Sequence, residues 1–185
     1  MPAPSLTARG DSRVFLRAPE PADCDAFLAL SRSSERFYRN LTAAPRTAAD
    51  FAAFLDRARR EDHVALLVCQ NADEAILGVV EISQISRGNF QSAYLGFRIG
   101  AEHAGKGVMT AALRLVLRYA FDTLRLHRLE ANIQPGNDAS ISLVRRAGFT
   151  REGFSRRYLK IGGRWRDHER WAILREDWLE LRRST

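Results

Sequence analysis

Between Tyr94 and Leu124 the hydrophobic period of the sequence changes from two to 3.6 across one short, glycine-bearing turn. Ala93, Leu95, Phe97 and Ile99 alternate with Tyr94, Gly96 and Arg98, as in a strand with two distinct faces. After Gly100 and the turn Glu102-His103-Ala104-Gly105-Lys106-Gly107, the residues Val108, Ala112, Leu115 and Tyr119 follow a helical face, opposite an outward stripe of Thr110, Arg114, Arg118 and Asp122. A further strand is expected over Arg128 to Ile133. Strand, helix and strand make one crossover unit, and the rest of the chain must be fitted around it.

The flanking patterns are those of a mainly antiparallel sheet. Val14-Phe15-Leu16-Arg17 reads as a first strand stopped by Pro19 and Pro21, followed by a helix over 22–31 with Phe27, Leu28 and Leu30 inward. Thr47 caps a second helix, in which Phe51, Phe54, Leu55 and Ala58 share one face. Val64 to Gln70 and Ile76 to Ile85 form a hairpin around Asn71-Ala72-Asp73-Glu74, and a strand spans Gln91 to Ile99. Beyond Ile133 come a short helix opened by Asn137 or Asp138 and closed at Gly148, then strands over 149–159 and 164–174. The expected fold class is α+β, with a six- to seven-stranded, mainly antiparallel sheet and helices on both faces. Its 185 residues suit one domain over 13–183, with residues 1–12, rich in Pro, Ala and Ser, expected to be flexible.

Composition removes several classes of function. No apolar run approaches the roughly 20 residues of a membrane span, and the N-terminus lacks the apolar segment of a signal peptide, so a cytoplasmic protein with no membrane partner is expected. Cys24 and Cys69 stand far apart, and His63, His103, His127 and His168 form no ligand pattern, so no metal is expected. The net charge of +7 fits nucleic acid, an acidic substrate or a phosphate-rich cofactor. Arg145-Arg146, Arg156-Arg157-Tyr158-Leu159-Lys160, Arg164-Trp165-Arg166 and Arg182-Arg183 are each either solvated surface or a rim facing phosphate.

Two segments carry chemistry. A turn ending in Gly105-Lys106-Gly107 at a helix start presents unpaired N–H groups and partial positive charge, which favour a phosphate. Glycine there admits close approach to the main chain, although tight turns also use glycine for shape alone. The spacing is neither GxxxxGK[ST] nor GxGxxG. The second segment opens a helix with Asn137-Asp138-Ala139-Ser140; Asn137 is either an N-cap or an amide donor to a cofactor, and Ser140 either an inert first-turn residue or a hydroxyl facing the reacting atoms.

Strand, xxGxG, helix, strand and then NxxSxxxxxxxGF resembles the GNAT acetyltransferases from Val14 onward. The likeness is closest to the RimJ and RimL branch, which acetylates N-terminal amines of ribosomal proteins. It is strongest on the RimJ side, through Arg87-Gly88-Asn89-Phe90, Gly105-Lys106-Gly107-Val108-Met109 and Gly162-Gly163-Arg164-Trp165-Arg166-Asp167-His168. The resemblance implies acetyl-CoA as cosubstrate, its pantetheine arm held between two splayed strands, Gln91 to Ile99 and Arg128 to Ile133. It places main-chain contacts near Phe97 and Ile99, the pyrophosphate on the amides of His103, Ala104, Gly105, Lys106, Gly107 and Val108, a cofactor contact at Asn137, and a thiolate-protonating acid at Ser140. This chain departs from the wider family at Glu102, where Gln or Arg is usual. It also has Val144 where some relatives carry a tyrosine acid, and Asn132 where others carry a glutamate base.

Attack of an amine on a thioester requires a neutral amine, a polarised carbonyl and a proton for the leaving thiolate. An α-amine with a pKa of about 7.7–8.0 is partly neutral at pH 7, whereas a lysine at about 10.4 is almost wholly charged. A chain lacking the glutamate therefore suits an α-amine, with Glu81, Tyr158 and Asp167 as candidates to take its proton. The expected reaction is acetylation of a protein N-terminus, a ribosomal protein's foremost, with the basic clusters contacting ribosomal RNA. A small amine as acceptor (polyamine, amino acid or aminoglycoside) and an RNA-associated assembly factor are the alternatives; the oligomeric state stays open.

Overall fold

The computed structural model describes residues 13–39, 41–42 and 44–183; the flexible start expected over 1–12 lies outside these. The first strand is β1 (Val14–Arg17). Pro21–Asp23 then form one tight turn, in which the Asp23 carboxylate accepts from the Glu20 N–H at 2.7 Å and pairs with Arg17. That turn delays α1 to Cys24–Ser33, two residues later than the apolar spacing suggested. Thr47 and Asp50 form a reciprocal capping box that starts α2 (Ala48–Ala58). The strands β2 (His63–Gln70), β3 (Ile76–Ser86) and β4 (Ser92–Ile99) follow.

Across the glycine turn lies α3 (Val108–Arg118). Its regular winding ends at Arg118, earlier than expected, and the next residues, Tyr119, Ala120 and Phe121, are all buried. Tyr119–Thr123 widen into one π-helical turn instead. Of the outward stripe, Arg114 and Arg118 are exposed, while Thr110 and Asp122 are half-buried. The chain continues through β5 (Arg128–Ile133), α4 (Asp138–Arg146), β6 (Thr150–Ile161) and β7 (Arg164–Leu174). A last helix, α5 (Arg175–Arg183), was not expected: it has one buried anchor, Trp178, whose ring lies 5.3 Å from that of Phe121.

The seven strands form one sheet in the order β1-β2-β3-β4-β5-β7-β6. Every neighbouring pair is antiparallel except β4 and β5. Their parallel register runs only from Ser92 opposite Arg128 to Tyr94 opposite Glu130, and beyond it the strands part. The larger core, with Leu66, Val80, Leu95, Leu129 and Ile173, packs against α3, α4 and Trp178 of α5. The smaller, with Ala65, Leu67 and Val79 beneath Phe27, Phe51 and Phe54, packs against α1 and α2 on the opposite face. On that second face the helices cover the β1 to β3 side and leave β4, β5 and β7 to the site. Among the described residues no helix is long and apolar enough to cross a membrane.

Candidate active site

Where β4 and β5 separate, a cleft of about 1430 Å³ opens and runs to the N-termini of α3 and α4. Of the residues singled out from the sequence, Phe97, Ile99, His103, Ala104, Gly105, Gly107, Val108, Asn137 and Ser140 all line it. Lys106 does not; its side chain is on the exposed outer side of the turn. Glu81 and Tyr158 also reach the cleft, whereas Asp167 is exposed and accepts from the Arg157 N–H at 2.7 Å.

Gly105 and Gly107 have φ of +74° and +79°, so a side chain at either is strained although the space beside it is open. Gly107 stands at the N-cap of α3, and no side chain caps that end. The first N–H groups of the helix are therefore presented to the cleft, which is the arrangement that binds a phosphate. Main-chain groups of alternate residues point to opposite sides of a strand. The Gly100 N–H bonds Leu77 on β3, and Ile99 on the other side has both its N–H and C=O engaged by the Tyr38 hydroxyl. Phe97, of the same parity as Ile99, turns its main chain into the gap. A ligand needing the Ile99 main chain must move Tyr38, a contact that the spacing of apolar residues gave no means of anticipating.

Asn137 caps α4, its Oδ1 accepting from the Ser140 N–H at 3.3 Å. The cap uses the carbonyl end and leaves the amide N–H groups for another partner. The Ser140 hydroxyl, half-buried, makes no hydrogen bond among the described residues. Asn132 lines the gap with a buried, unpartnered Oδ1, an acceptor suited to a ligand N–H.

The opposite wall is ionic and aromatic. Burial pushes the Glu81 carboxyl up, but His63 at 3.2 Å and Arg98 at 3.5 Å outweigh it and hold the group below its ordinary range. The Tyr94 and Tyr158 hydroxyls lie 3.4 Å apart, and the Tyr158 ring centroid is 6.0 Å from that of His168. Hydrogen bonding to Tyr158, with burial, raises Tyr94 to about 12. His168 and Tyr94 line the cleft too; neither was singled out as a site residue, because strand alternation cannot show which polar residues meet across β4 and β7. Among the described residues no group of three His, Cys, Asp or Glu side chains is placed to hold a metal.

An uncapped helix end over two glycines, an open strand edge at Phe97 and an orphaned Asn132 acceptor fit a long ligand with phosphate at one end and amides along its length. A coenzyme A thioester has that form. The family description "Acetyltransferase (GNAT) domain" matches residues 13–150. Probable N-acetyltransferase YjcK of Bacillus subtilis is 33% identical over 174 residues, covering 89% of this chain and 95% of that protein. The [ribosomal protein uS5]-alanine N-acetyltransferase of Escherichia coli is 42% identical over 106 residues, which cover 57% of this chain and 55% of that one. Among solved structures, Mycobacterium smegmatis RimJ in complex with CoA-disulfide superposes with a TM-score of 0.82 at 24% identity, over 95% of this chain and 86% of that one. The chain belongs to the GNAT acetyltransferase family and is an acetyl-CoA-dependent N-acetyltransferase.

Proposed function

We propose that this enzyme acetylates the N-terminal α-amine of a protein, a ribosomal protein being the substrate expected first. The observation that carries this reading is the state of Glu81. Glu81 and Asp50 are carboxylates that line the cleft, and Glu81 is tied to His63 and Arg98, which leaves it ionised and too weak to strip a lysine ammonium. A weak base suits an amine of pKa about 7.7–8.0 better than a lysine of about 10.4. The uS5-alanine acetyltransferase likeness supports the same acceptor.

In this reading the N–H groups of Gly105 to Val108 hold the pyrophosphate, Phe97 and the Asn137 amide orient the arm, and the Ser140 hydroxyl donates to the departing thiolate. Bound in this way, acetyl-CoA supplies the thioester that the amine attacks. The protein's part is to align the amine, exclude water and place one proton at Ser140 Oγ. The exposed hairpin of β6 and β7, with Arg156, Lys160, Arg164 and a Trp165 that is 61% exposed, supports contact with ribosomal RNA while the substrate is presented.

The test is release of free thiol from acetyl-CoA with peptides bearing N-terminal alanine or serine, blocked peptides with an internal lysine, and polyamines. Turnover of the α-amine peptides at the highest kcat/KM is the expected result. A protein that acts only on polyamines would falsify the reading.

A further inference from the structure

The reaction releases a proton from the acceptor amine, and the cleft holds one group poised to take it, the last residue of the segment Gly162 to His168. His168 lies on β7, where the register Ser155 to His168 joins it to β6, one step beyond the end of the β5 pairing at Glu169. The residue is 2% exposed, and yet it lines the cleft. Its Nδ1 is 3.0 Å from the Arg166 carbonyl oxygen. A carbonyl can only accept, so Nδ1 carries the hydrogen and Nε2 is left with its lone pair. Nε2 makes no hydrogen bond among the described residues and is not among the sealed, unpartnered polar atoms, so the accessible remainder of the ring includes this nitrogen.

The strand register places what surrounds it. Tyr94 pairs with Glu130, and Asn132 pairs with Arg170, which puts Tyr94, Asn132, Arg170 and His168 on the sheet face turned away from α3. Beside the ring stand Tyr158 on β6 and Arg166 and Asp167 on its own strand, and the same sheet face carries Tyr94 on β4, Glu130 on β5 and Arg170 on β7. Burial lowers the imidazole from 6.5, more than the Arg166 carbonyl and Asp167 raise it, so the ring is neutral at neutral pH. Glu81, by contrast, is held ionised by His63 and Arg98, which occupy its carboxylate oxygens, whereas Nε2 of His168 has no partner among the described residues.

We infer that His168 is the general base of this transferase, accepting the acceptor amine's proton at Nε2 on the cleft wall that also carries the Tyr158 and Tyr94 hydroxyls. The balance closes. The ammonium gives one proton to His168 and its lone pair forms the bond to the acetyl carbonyl carbon; the C–S bond breaks, and the sulfur leaves with that electron pair. A second proton, lost by the nitrogen as the amide forms, matches the one that the thiolate acquires. The inference rests on acetyl transfer to an amine and not on which amine: a polyamine acceptor overturns the proposed function and leaves His168 in place.

His168→Asn is the decisive variant, because its amide can still donate to the Arg166 carbonyl while Nε2 is lost. Expected is a fall in kcat of about 10²–10⁴-fold with acetyl-CoA affinity unchanged. The deficit should shrink for acceptors of low amine pKa, which arrive neutral, and the acid limb of kcat below pH 6.5 should vanish. A merely structural histidine would depress all acceptors equally and leave the pH profile alone; that outcome, or a kcat within twofold of the parent, overturns the proposal. Imidazole ¹⁵N shifts in the parent protein keep the question open to test even if His168→Asn does not fold. They should report a neutral ring protonated at Nδ1 at pH 7.5, and a ring protonated at Nε2 overturns it.

Discussion

Gly107 has the most local consequence in the chain. Its φ of +79° is reached by any other residue only at a cost of about 1–2 kcal/mol, and the N–H groups it presents are those aimed at the cleft. Gly107→Ala should therefore lose acetyl-CoA affinity in calorimetry as well as a little stability, while Lys106→Ala, on the outer side of the turn, should lose much less. Ser140→Ala should keep acetyl-CoA affinity and lower kcat by about 10²-fold or more, as measured by thiol release. Two groups, among several lowered carboxyls, contribute separable steps to the acid stability. His168 is lowered, so its contribution is present above about pH 6.5 and fades as pH falls through its folded value. Burial pushes Asp23 up, but Arg17 and the Glu20 N–H pull it below its usual 3.8, so its contribution persists at neutral pH and is lost only in stronger acid. Urea unfolding across pH should show losses in that order, the first missing in His168→Asn and the second smaller in Asp23→Asn. That Gly105, Gly107, Asn137 and Ser140 would share one cleft was legible in the sequence because their placement follows from position along one strand, turn and helix. Tyr38, Tyr94 and His168 were not, since they converge on the cleft from three distant elements.

The helices differ in how plainly the sequence announced them. The capping box of α2 and the apolar repeat of Phe51 and Phe54 leave little choice, and burial of these rings between α1 and β2 ties the helix to the sheet. Phe54, fully buried, should cost about 3–5 kcal/mol when truncated to alanine, as read by denaturant unfolding. In α5 the pattern is nearly silent: one tryptophan is buried and the other turns are polar, so periodicity has nothing to count. Its signals are electrostatic, Glu176 and Asp177 in the first turn and Arg182 and Arg183 in the last. Arg182 adds a guanidinium 4.6 Å above the Trp178 ring and an ion pair to Asp122. The early end of α3 had no signal in the spacing either, since the apolar pattern runs on through Tyr119, Ala120 and Phe121 into the π-helical turn.

Taken whole, the molecule divides its work between the two faces of one sheet. The face under α3 and α4 offers backbone N–H groups and a serine; the other offers Glu81, two tyrosines and His168, and the two meet only where β4 and β5 part. That division was partly legible: a crossover inside an antiparallel sheet forces one parallel pair, but nothing in the residues fixes that its pairing ends at Tyr94 and Glu130. The same parting leaves a sheet with a row of backbone groups in its middle that no neighbouring strand satisfies. In the proposed binding mode the cosubstrate would stand in as a surrogate strand, and its binding energy would also be folding energy. Amide hydrogen exchange at Phe97 and across β5 should slow when acetyl-CoA is added, and at a hundredfold excess over Kd the protein should gain about 2.7 kcal/mol of stability. An enzyme that binds in this way is coupled to its fuel: with acetyl-CoA scarce, the gap where β4 and β5 part is expected to be the seam along which the sheet opens first.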